Sequence, residues 1–165
     1  MILVVNDACV LIDLIDADLF DEFLQLGYQY HITELVLSEV EGDYEKPVAQ
    51  SIRTKTLKVY SLSGDDQTGL ALMMRTLSPK LSAPDVSCLF LARKIGAMVL
   101  TADKVLRLAA KSLGLTAHGS LWVVDRLIEE KIITKGTARK KLIKLMTINP
   151  RIPKVECEKR LKRWR

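Results

Sequence analysis

Short apolar runs alternate with longer amphipathic segments along the whole chain. Apolar or alternating runs of this length, bounded by turn residues, are typical of β-strands. Five strands are predicted, at residues 1–6, 28–32, 56–62, 97–101 and 115–119. The segments between them carry apolar residues at helical spacing, which predicts amphipathic helices. These helices are expected from about Ala8 onward and at residues 16–27, 33–42, 63–77, 84–96, 103–114, 120–132 and 135–147.

The order of these elements predicts the fold class. Strands that alternate with helices at this spacing form βαβ units, so we expect an α/β fold with three layers, in which helices cover both faces of a central parallel five-stranded sheet. Right-handed crossovers place the carboxyl ends of all strands at one edge of that sheet. In open α/β sheets, ligands bind in the crevice outside those ends. A functional site is therefore expected at that edge.

Two segments differ in how clearly their ends are marked. The helix at residues 84–96 has Pro84 at its first position, Asp85 in its first turn and Gly96 after its end, all typical of helix termini. Residues 43–55 are harder to interpret, because Pro47 is expected to interrupt any helix there.

Length and composition indicate a single globular domain of 165 residues. The longest apolar runs fall far short of a membrane span. No basic region precedes the apolar start of the chain, and Asp7, Asp13 and Asp16 interrupt it. A secretory signal is therefore not predicted, and a cytoplasmic location is expected.

The charge is distributed unevenly. Residues 131–165 carry 13 Lys and Arg against two acids, a net charge of +11, whereas residues 1–130 carry 12 against 18, a net charge of −6. A polyanion is one reasonable partner for such a basic segment. A solvated basic helix, or a tail that docks on the acidic body, explains the same pattern.

Motifs of several other protein classes are absent. The three cysteines, Cys9, Cys88 and Cys157, are far apart and form no CxxC pair, so neither a zinc ribbon nor a disulfide framework is indicated. No G-x-x-x-x-G-K-[ST] or G-x-G-x-x-G segment occurs, which argues against an NTPase or a dinucleotide-dependent enzyme.

Four acidic residues are expected near the carboxyl edge of the sheet. Asp7 directly follows the first strand, Asp103 follows the fourth, Asp85 opens the helix before the fourth strand, and Glu39 lies in the helix after the second. Carboxylates placed close together repel one another, and a hard divalent cation such as Mg²⁺ relieves that repulsion through its preference for oxygen ligands. Each acid taken alone is also explained as a helix cap or a solvated residue, and Glu41 could replace Glu39.

Four segments of the chain resemble the PIN-domain family over most of residues 1–147. They are "VVNDACVLIDL", "ITELVLSEV", "SAPDVSCLFLARKIGAMVLTADK" and "LAAKSLGLTAHGSLWVVDRLIEEKII". The third is the most specific, with an Asp-started helix, an apolar strand and then Thr-x-Asp. The resemblance implies a PIN-like domain at residues 1–147, followed by a basic C-terminal tail at residues 148–165.

The resemblance also implies a function. PIN domains are mostly Mg²⁺- or Mn²⁺-dependent ribonucleases that leave 5′-phosphate and 3′-hydroxyl ends. Carried over to this chain, Asp7, Asp85 and Asp103 would hold the metal, and Glu39 would complete the shell and orient the attacking water. Small prokaryotic members are commonly toxins of the VapC type, often dimeric and held inactive by an antitoxin protein.

Two features depart from the family pattern. Cys9 stands where the family usually has Ser or Thr, and a thiol is the weaker hydrogen-bond partner. The basic segment after residue 147 lies outside the part that resembles the family. An RNA- or protein-binding module with weak or no catalysis therefore stays an alternative, whereas a phospho-acceptor receiver domain is disfavoured because only Asp7 follows the first strand.

Other residues have less specific patterns. The hydroxyl of Thr101 would support a metal ligand or a water, although a β-branched residue is also ordinary in a strand. His31 and His118 are expected to be structural. Trp122 is expected in the core or an interface, and Trp164 either stacks on a base or is an exposed aromatic of the tail.

Overall fold

The computed structural model describes residues 1–165 and contains one five-stranded sheet. Its strands are β1 (Leu3–Asn6), β2 (Gln29–Thr33), β3 (Leu57–Tyr60), β4 (Met98–Leu100) and β5 (Ala117–His118). They lie in the order β3-β2-β1-β4-β5, and every neighbouring pair is parallel. The predicted parallel five-stranded sheet is thus confirmed. The strand order reverses direction between β1 and β4, so the crevice outside their carboxyl ends is the expected ligand site.

Helices connect and cover the strands. They are α1 (Ala8–Asp16), α2 (Phe20–Leu24), α3 (Glu34–Leu37), α4 (Glu45–Arg53), α5 (Gly64–Thr76), α6 (Ala83–Ile95), α7 (Lys104–Ser112), α8 (Ser120–Glu129), α9 (Lys135–Ile148) and α10 (Lys154–Arg163), with a short 3₁₀ turn at Gly42–Tyr44. A single apolar core includes Val4 and Val5 of β1, which are fully buried because helices pack on the sheet. None of the helices has both the length and the apolar content that a membrane span requires.

The helix after β2 is shorter than its sequence predicts. Thr33 caps α3 as expected, because its hydroxyl accepts a hydrogen bond from the Val36 amide. The amides of Glu39 and Val40 then bond to carbonyls three residues back, a tighter turn that ends the helix and lets Val40 pack into the core. Glu39 therefore lies two residues beyond the end of α3, and its predicted position inside a helix is wrong.

Two other helices also differ from their predicted boundaries. Pro47 does not interrupt a helix but lies in the first turn of α4, where amides lack intrahelical partners and proline is tolerated. Helix α6 begins at Ala83 instead of Pro84, because Ser82 is its cap and forms a capping box with Asp85. Gly96 ends this helix as predicted, with a φ of 69° that favours glycine.

The basic C-terminal segment is folded against the body. Helix α10 buries Cys157, and Trp164 directly after it is only 4% exposed, so neither expectation for Trp164 is correct. Asp125 of α8 accepts hydrogen bonds from Arg160 and Arg163. Of the three explanations for the basic segment, docking on the acidic body applies to α10 and Trp164.

Candidate metal site at the carboxyl edge

A crevice of about 1140 Å³ lies at the carboxyl edge of the sheet. All four acids that the sequence indicated line this crevice. They are Asp7, Glu39, Asp85 and Asp103. Asp7 and Thr101 directly follow the paired residues Asn6 and Leu100 at the ends of β1 and β4. The Asp7 amide donates to the Leu100 carbonyl at 2.9 Å, which fixes the start of α1 beside the end of β4.

Asp7 is the most enclosed acid of this group, with 5% of its surface exposed. Its Oδ1 accepts a hydrogen bond from the Ala8 amide at 2.8 Å. Its Oδ2 accepts one from the Thr101 hydroxyl at 2.8 Å and one from the Cys9 thiol at 2.9 Å. Burial raises the pKa of Asp7, and the nearby charge of Asp85 raises it further, whereas these hydrogen bonds lower it. Burial is the largest of these effects, so the pKa of Asp7 lies above its usual value.

Thr101 connects two of the acids. Its fully buried hydroxyl donates to Asp7 and accepts a hydrogen bond from the Asp103 amide at 3.0 Å. The position of Asp7 is thus coupled to the loop that carries Asp103.

The thiol of Cys9 lies beside the Asp7 carboxylate, at the position where the resemblance predicts Ser or Thr. Its sulfur accepts a hydrogen bond from the Ala102 amide at 3.1 Å while the thiol donates to Asp7. Burial, with the adjacent Asp7 charge, raises the pKa of Cys9 to about 12. The thiol is therefore protonated at pH 7, and it acts as a donor to Asp7 and not as a nucleophile.

Asp85 and Asp103 combine capping with exposure to the crevice. One oxygen of Asp85, Oδ2, accepts a hydrogen bond from the Ser82 amide at 2.8 Å, and Oδ1 of Asp103 accepts one from the Leu106 amide at 3.0 Å. The second oxygen of each carboxylate accepts no hydrogen bond from the protein. The capping explanation is correct for both residues, and it leaves one oxygen of each available to a ligand.

Glu39 borders the crevice, and its carboxylate forms no hydrogen bond with the protein. Partial burial raises its pKa, and the charges of Asp7 and Asp85 raise it further. Glu41, the alternative acid of this segment, is exposed and does not line the crevice. The geometry therefore favours Glu39 over Glu41.

The donor set fits a hard divalent cation. Carboxylate oxygens are the ligands that Mg²⁺ and Mn²⁺ prefer, and Asp85 and Asp103 each keep one oxygen without a protein partner. No group of three or more His, Cys, Asp or Glu side chains lies close enough together in this structure to hold a metal ion by itself. The four acids thus border one crevice without forming a complete ligand set, whereas Mg²⁺ commonly binds through one or two carboxylates and several waters.

A family model described as "DUF3368: PIN domain" matches residues 3–165. The chain belongs to the PIN-domain family. PIN domains are generally nucleases and typically use divalent metal ions. The matched region of this PIN domain extends to the last residue, so it includes helix α10. No curated protein matches the sequence closely enough to count as a relative.

Solved structures of other proteins also align with this chain. The crystal structure of PAE2754 from Pyrobaculum aerophilum is similar to this PIN domain at 18% sequence identity and a TM-score of 0.55, over 78% of this chain and 98% of that chain. A PilT N-terminus domain protein, SSO1118 from Sulfolobus solfataricus P2, aligns at 16% identity and a TM-score of 0.49, over 78% of this chain and 95% of that chain. The first of these shows the PIN-like α/β fold.

Sequence reasoning missed Asp13 as a crevice residue. Its carboxylate is buried and accepts hydrogen bonds from the Ser120 hydroxyl at 2.7 Å and from the side-chain amide of Asn149 at 2.8 Å. Asp13 thereby joins α1 to the start of α8 and the end of α9. The sequence does mark this residue as unusual. Asp13 follows Val10 by three residues and so lies on the buried face of α1, where a carboxylate is rare.

Neither histidine lines the crevice. Burial lowers the pKa of both His31 and His118, which keeps them neutral at pH 7. Both positions agree with the structural role expected from the sequence.

Proposed function

We propose that this PIN domain is a Mg²⁺- or Mn²⁺-dependent endoribonuclease that hydrolyses RNA phosphodiesters in the cytoplasm. One observation carries the proposal: four acids from four separate segments line one crevice at the carboxyl edge of the sheet. They are Asp7, Glu39, Asp85 and Asp103. Acids so placed repel one another unless a cation or a proton neutralises them. A nuclease function explains this arrangement.

In the proposed reaction, Asp7, Asp85 and Asp103 would hold the cation directly or through water. A cation held there would supply Lewis-acid chemistry, namely activation of a water and stabilisation of the charge that develops on the phosphoryl oxygens. Glu39 has a free carboxylate that accepts a hydrogen bond from the attacking water and so orients it. The water oxygen bonds to phosphorus as the bond to the 3′ oxygen breaks, which leaves a 5′-phosphate and a 3′-hydroxyl. Thr101 and Cys9 position Asp7 through their hydrogen bonds.

Cleavage assays with matched variants test this proposal. Purified protein with Mg²⁺ or Mn²⁺ should cleave RNA, and Asp7→Asn or Asp103→Asn should reduce the rate about a hundredfold or more, because each removes a charged ligand. Glu39→Gln should also reduce the rate, whereas Glu41→Gln should not, because Glu41 lies outside the crevice. If Asp7→Asn cleaves as fast as the unmodified protein, the activity does not belong to this site.

We further propose that the protein is the toxin of a toxin–antitoxin pair, active as a homodimer and inhibited by a small antitoxin protein. The resemblance of the chain to small prokaryotic PIN toxins supports this. Expression of the protein alone should arrest bacterial growth, and Asp7→Asn should relieve the arrest. Light scattering should give twice the chain mass. Growth arrest that persists in Asp7→Asn would contradict a toxin role based on this site.

The alternative is a PIN-like RNA- or protein-binding module with weak or no catalysis. One observation favours it, namely the thiol of Cys9, a weak hydrogen-bond donor beside the central acid Asp7. Titration with Mn²⁺ distinguishes the two functions. Binding at millimolar or lower concentration supports the nuclease, and no binding at those concentrations favours the module.

A further inference from the structure

Only one aromatic side chain borders the acidic crevice. Trp122, the third residue of α8, lines the same crevice as Asp7 and Asp103. Its indole is half-buried, and the indole Nε1 is neither hydrogen-bonded to the protein nor sealed from solvent. A tryptophan that serves only the core usually pairs or buries this group.

The indole is held in place from its other side. The rings of His118 and Trp122 lie parallel, with centroids 4.4 Å apart and an interplanar angle of 3°. Trp122 lines the crevice and His118 does not, so the stacking partner of the indole lies outside that space. His118 is the last residue of β5 and pairs with Leu100 of β4. Stacking on a residue of the sheet restrains the orientation of the Trp122 indole.

Free cations lie in the same crevice as the indole. Lys104 and Arg151 line it and form no ion pair. Lys104 follows Asp103 at the start of α7, and Arg151 lies in the loop between α9 and α10. The crevice thus combines acids for a metal, unpaired cations for phosphate groups and one positioned aromatic ring.

We infer that Trp122 stacks on an unpaired base of single-stranded RNA beside the phosphate that is cleaved, an inference that rests on the proposed ribonuclease function. Aromatic side chains bind single strands by stacking on bases, and they do so with little sequence preference because every base has a π face. In a duplex the base faces are covered by their neighbours, so the same ring has nothing to stack on. Trp122 is in this view a binding residue, and it selects single-stranded substrate.

Tryptophan fluorescence tests the inference without cleavage. The unmodified protein is titrated with a single-stranded RNA 12-mer at low salt in EDTA, which prevents metal-dependent hydrolysis. The same titration is repeated with a duplex of that sequence and with an abasic oligomer of equal length. Trp164 is buried and contributes a nearly constant background, so Trp122 reports the contact.

Single-stranded RNA should quench the emission markedly, whereas the duplex and the abasic oligomer should not. In Trp122→Ala the affinity for single-stranded RNA should fall about tenfold, and Trp122→Phe should retain most of it, because a ring remains. Circular dichroism checks that both variants fold. The inference is overturned if single-stranded RNA leaves the emission unchanged, or if the duplex or the abasic oligomer quenches it equally.

The results separate this inference from the nuclease proposal. Base-dependent quenching without any cleavage in Mn²⁺ would support the stacking contact and contradict the nuclease. Cleavage that depends on Asp7 but is accompanied by no quenching would support the nuclease and overturn the role of Trp122.

Discussion

Asp7 caps α1 through one carboxylate oxygen, while its other oxygen accepts hydrogen bonds from Thr101 and Cys9. The residue therefore stabilises the helix start and faces the crevice at the same time. A sequence pattern cannot separate these two roles, because both place an aspartate directly after a strand. The partners of its second oxygen separate them, since capping alone does not require a buried threonine and a thiol on that side.

The first prediction at the residue scale concerns Cys9. In Cys9→Ser, a hydroxyl replaces the thiol as the donor to Asp7 and strengthens that hydrogen bond. A net gain of about 1 kcal/mol corresponds to roughly fivefold tighter Mn²⁺ binding, because a better-oriented carboxylate is the better ligand. Isothermal titration calorimetry measures this change.

Cys9→Ala is the matched control for this prediction. It removes the donor to Asp7 and the acceptor for the Ala102 amide, so it should bind Mn²⁺ more weakly than the unmodified protein. Equal affinities in the serine and alanine variants would show that the contact with Asp7 does not influence the metal site.

The second prediction concerns the pH dependence of stability at Asp66. Its carboxylate accepts hydrogen bonds from Lys94, the Ser63 amide and Tyr60, and these contacts, with that of Lys94 the largest, hold the pKa of Asp66 well below its usual range. A depressed pKa means that the charged form favours the folded state. This contribution is complete above the usual carboxyl pKa of about 4 and is lost as the pH falls below it.

Urea unfolding of Asp66→Asn at several pH values measures this effect. The variant should unfold at lower urea than the unmodified protein at pH 7, and the difference should shrink as the pH falls below about 4. Asp65→Asn, at the exposed neighbouring position, should change the midpoint little. A difference for Asp66→Asn that stays constant between pH 7 and pH 2 would contradict the prediction.

At the scale of elements, the positions of helices followed from the sequence, but their ends depended on local partners. Helix α6 starts one residue early because Ser82 is available as its cap. Helix α4 accommodates Pro47 because the proline lies in its first turn. Helix α3 ends early as Val40 turns into the core. In each case a contact decided the boundary, and periodicity alone does not contain that contact.

The element-scale prediction concerns docking of α10. Trp164→Ala should lower the free energy of unfolding by about 3 kcal/mol, because it empties a buried aromatic site. Val155→Ala, on the same helix with 63% of the side chain exposed, should change it by less than about 0.5 kcal/mol. Urea unfolding measures both variants. Equal, small effects would show that α10 is not docked in solution.

At the scale of the whole molecule, docking neutralises only part of the basic segment. Asp125 binds Arg160 and Arg163, and Asp18 binds Lys141 and Lys144. Lys159 pairs with Glu156 inside the segment. Several further cations form no ion pair, and one of them, Arg151, lines the acidic crevice. The two explanations for the basic tail, docking and polyanion binding, are therefore compatible and use different side chains.

The whole-molecule prediction follows from these unpaired cations. Affinity for single-stranded RNA should fall as salt rises, with a slope of about −0.7 per phosphate contacted on a plot of log K against log salt. Arg151→Gln should make that slope shallower by about 0.7, because one contact in the crevice is lost. Lys162→Gln removes an exposed, unpaired cation outside the crevice and should leave the slope unchanged. Equal effects of the two variants would show that RNA does not enter the crevice.

The sequence by itself determined the class of fold and predicted which four acids meet at the carboxyl edge of the sheet. Strand and helix periodicities are local properties, and parallel strands joined by right-handed crossovers place their carboxyl ends at one edge. The sequence alone therefore predicts one crevice for Asp7, Glu39, Asp85 and Asp103. The resemblance to the family predicts a hydroxyl residue where Cys9 stands, and the sequence reveals that difference because it concerns one position alone.

Only the tertiary structure decided which contacts those residues make. These contacts join residues that lie on neighbouring strands or on elements packed against each other. Thr101 bridges Asp7 and Asp103, Asp13 is buried beside Ser120, and His118 stacks on Trp122. The docking of α10 likewise depends on a partner far away in sequence, Asp125. Such contacts arise from packing between elements, and packing depends on three-dimensional complementarity that no periodicity along the chain encodes.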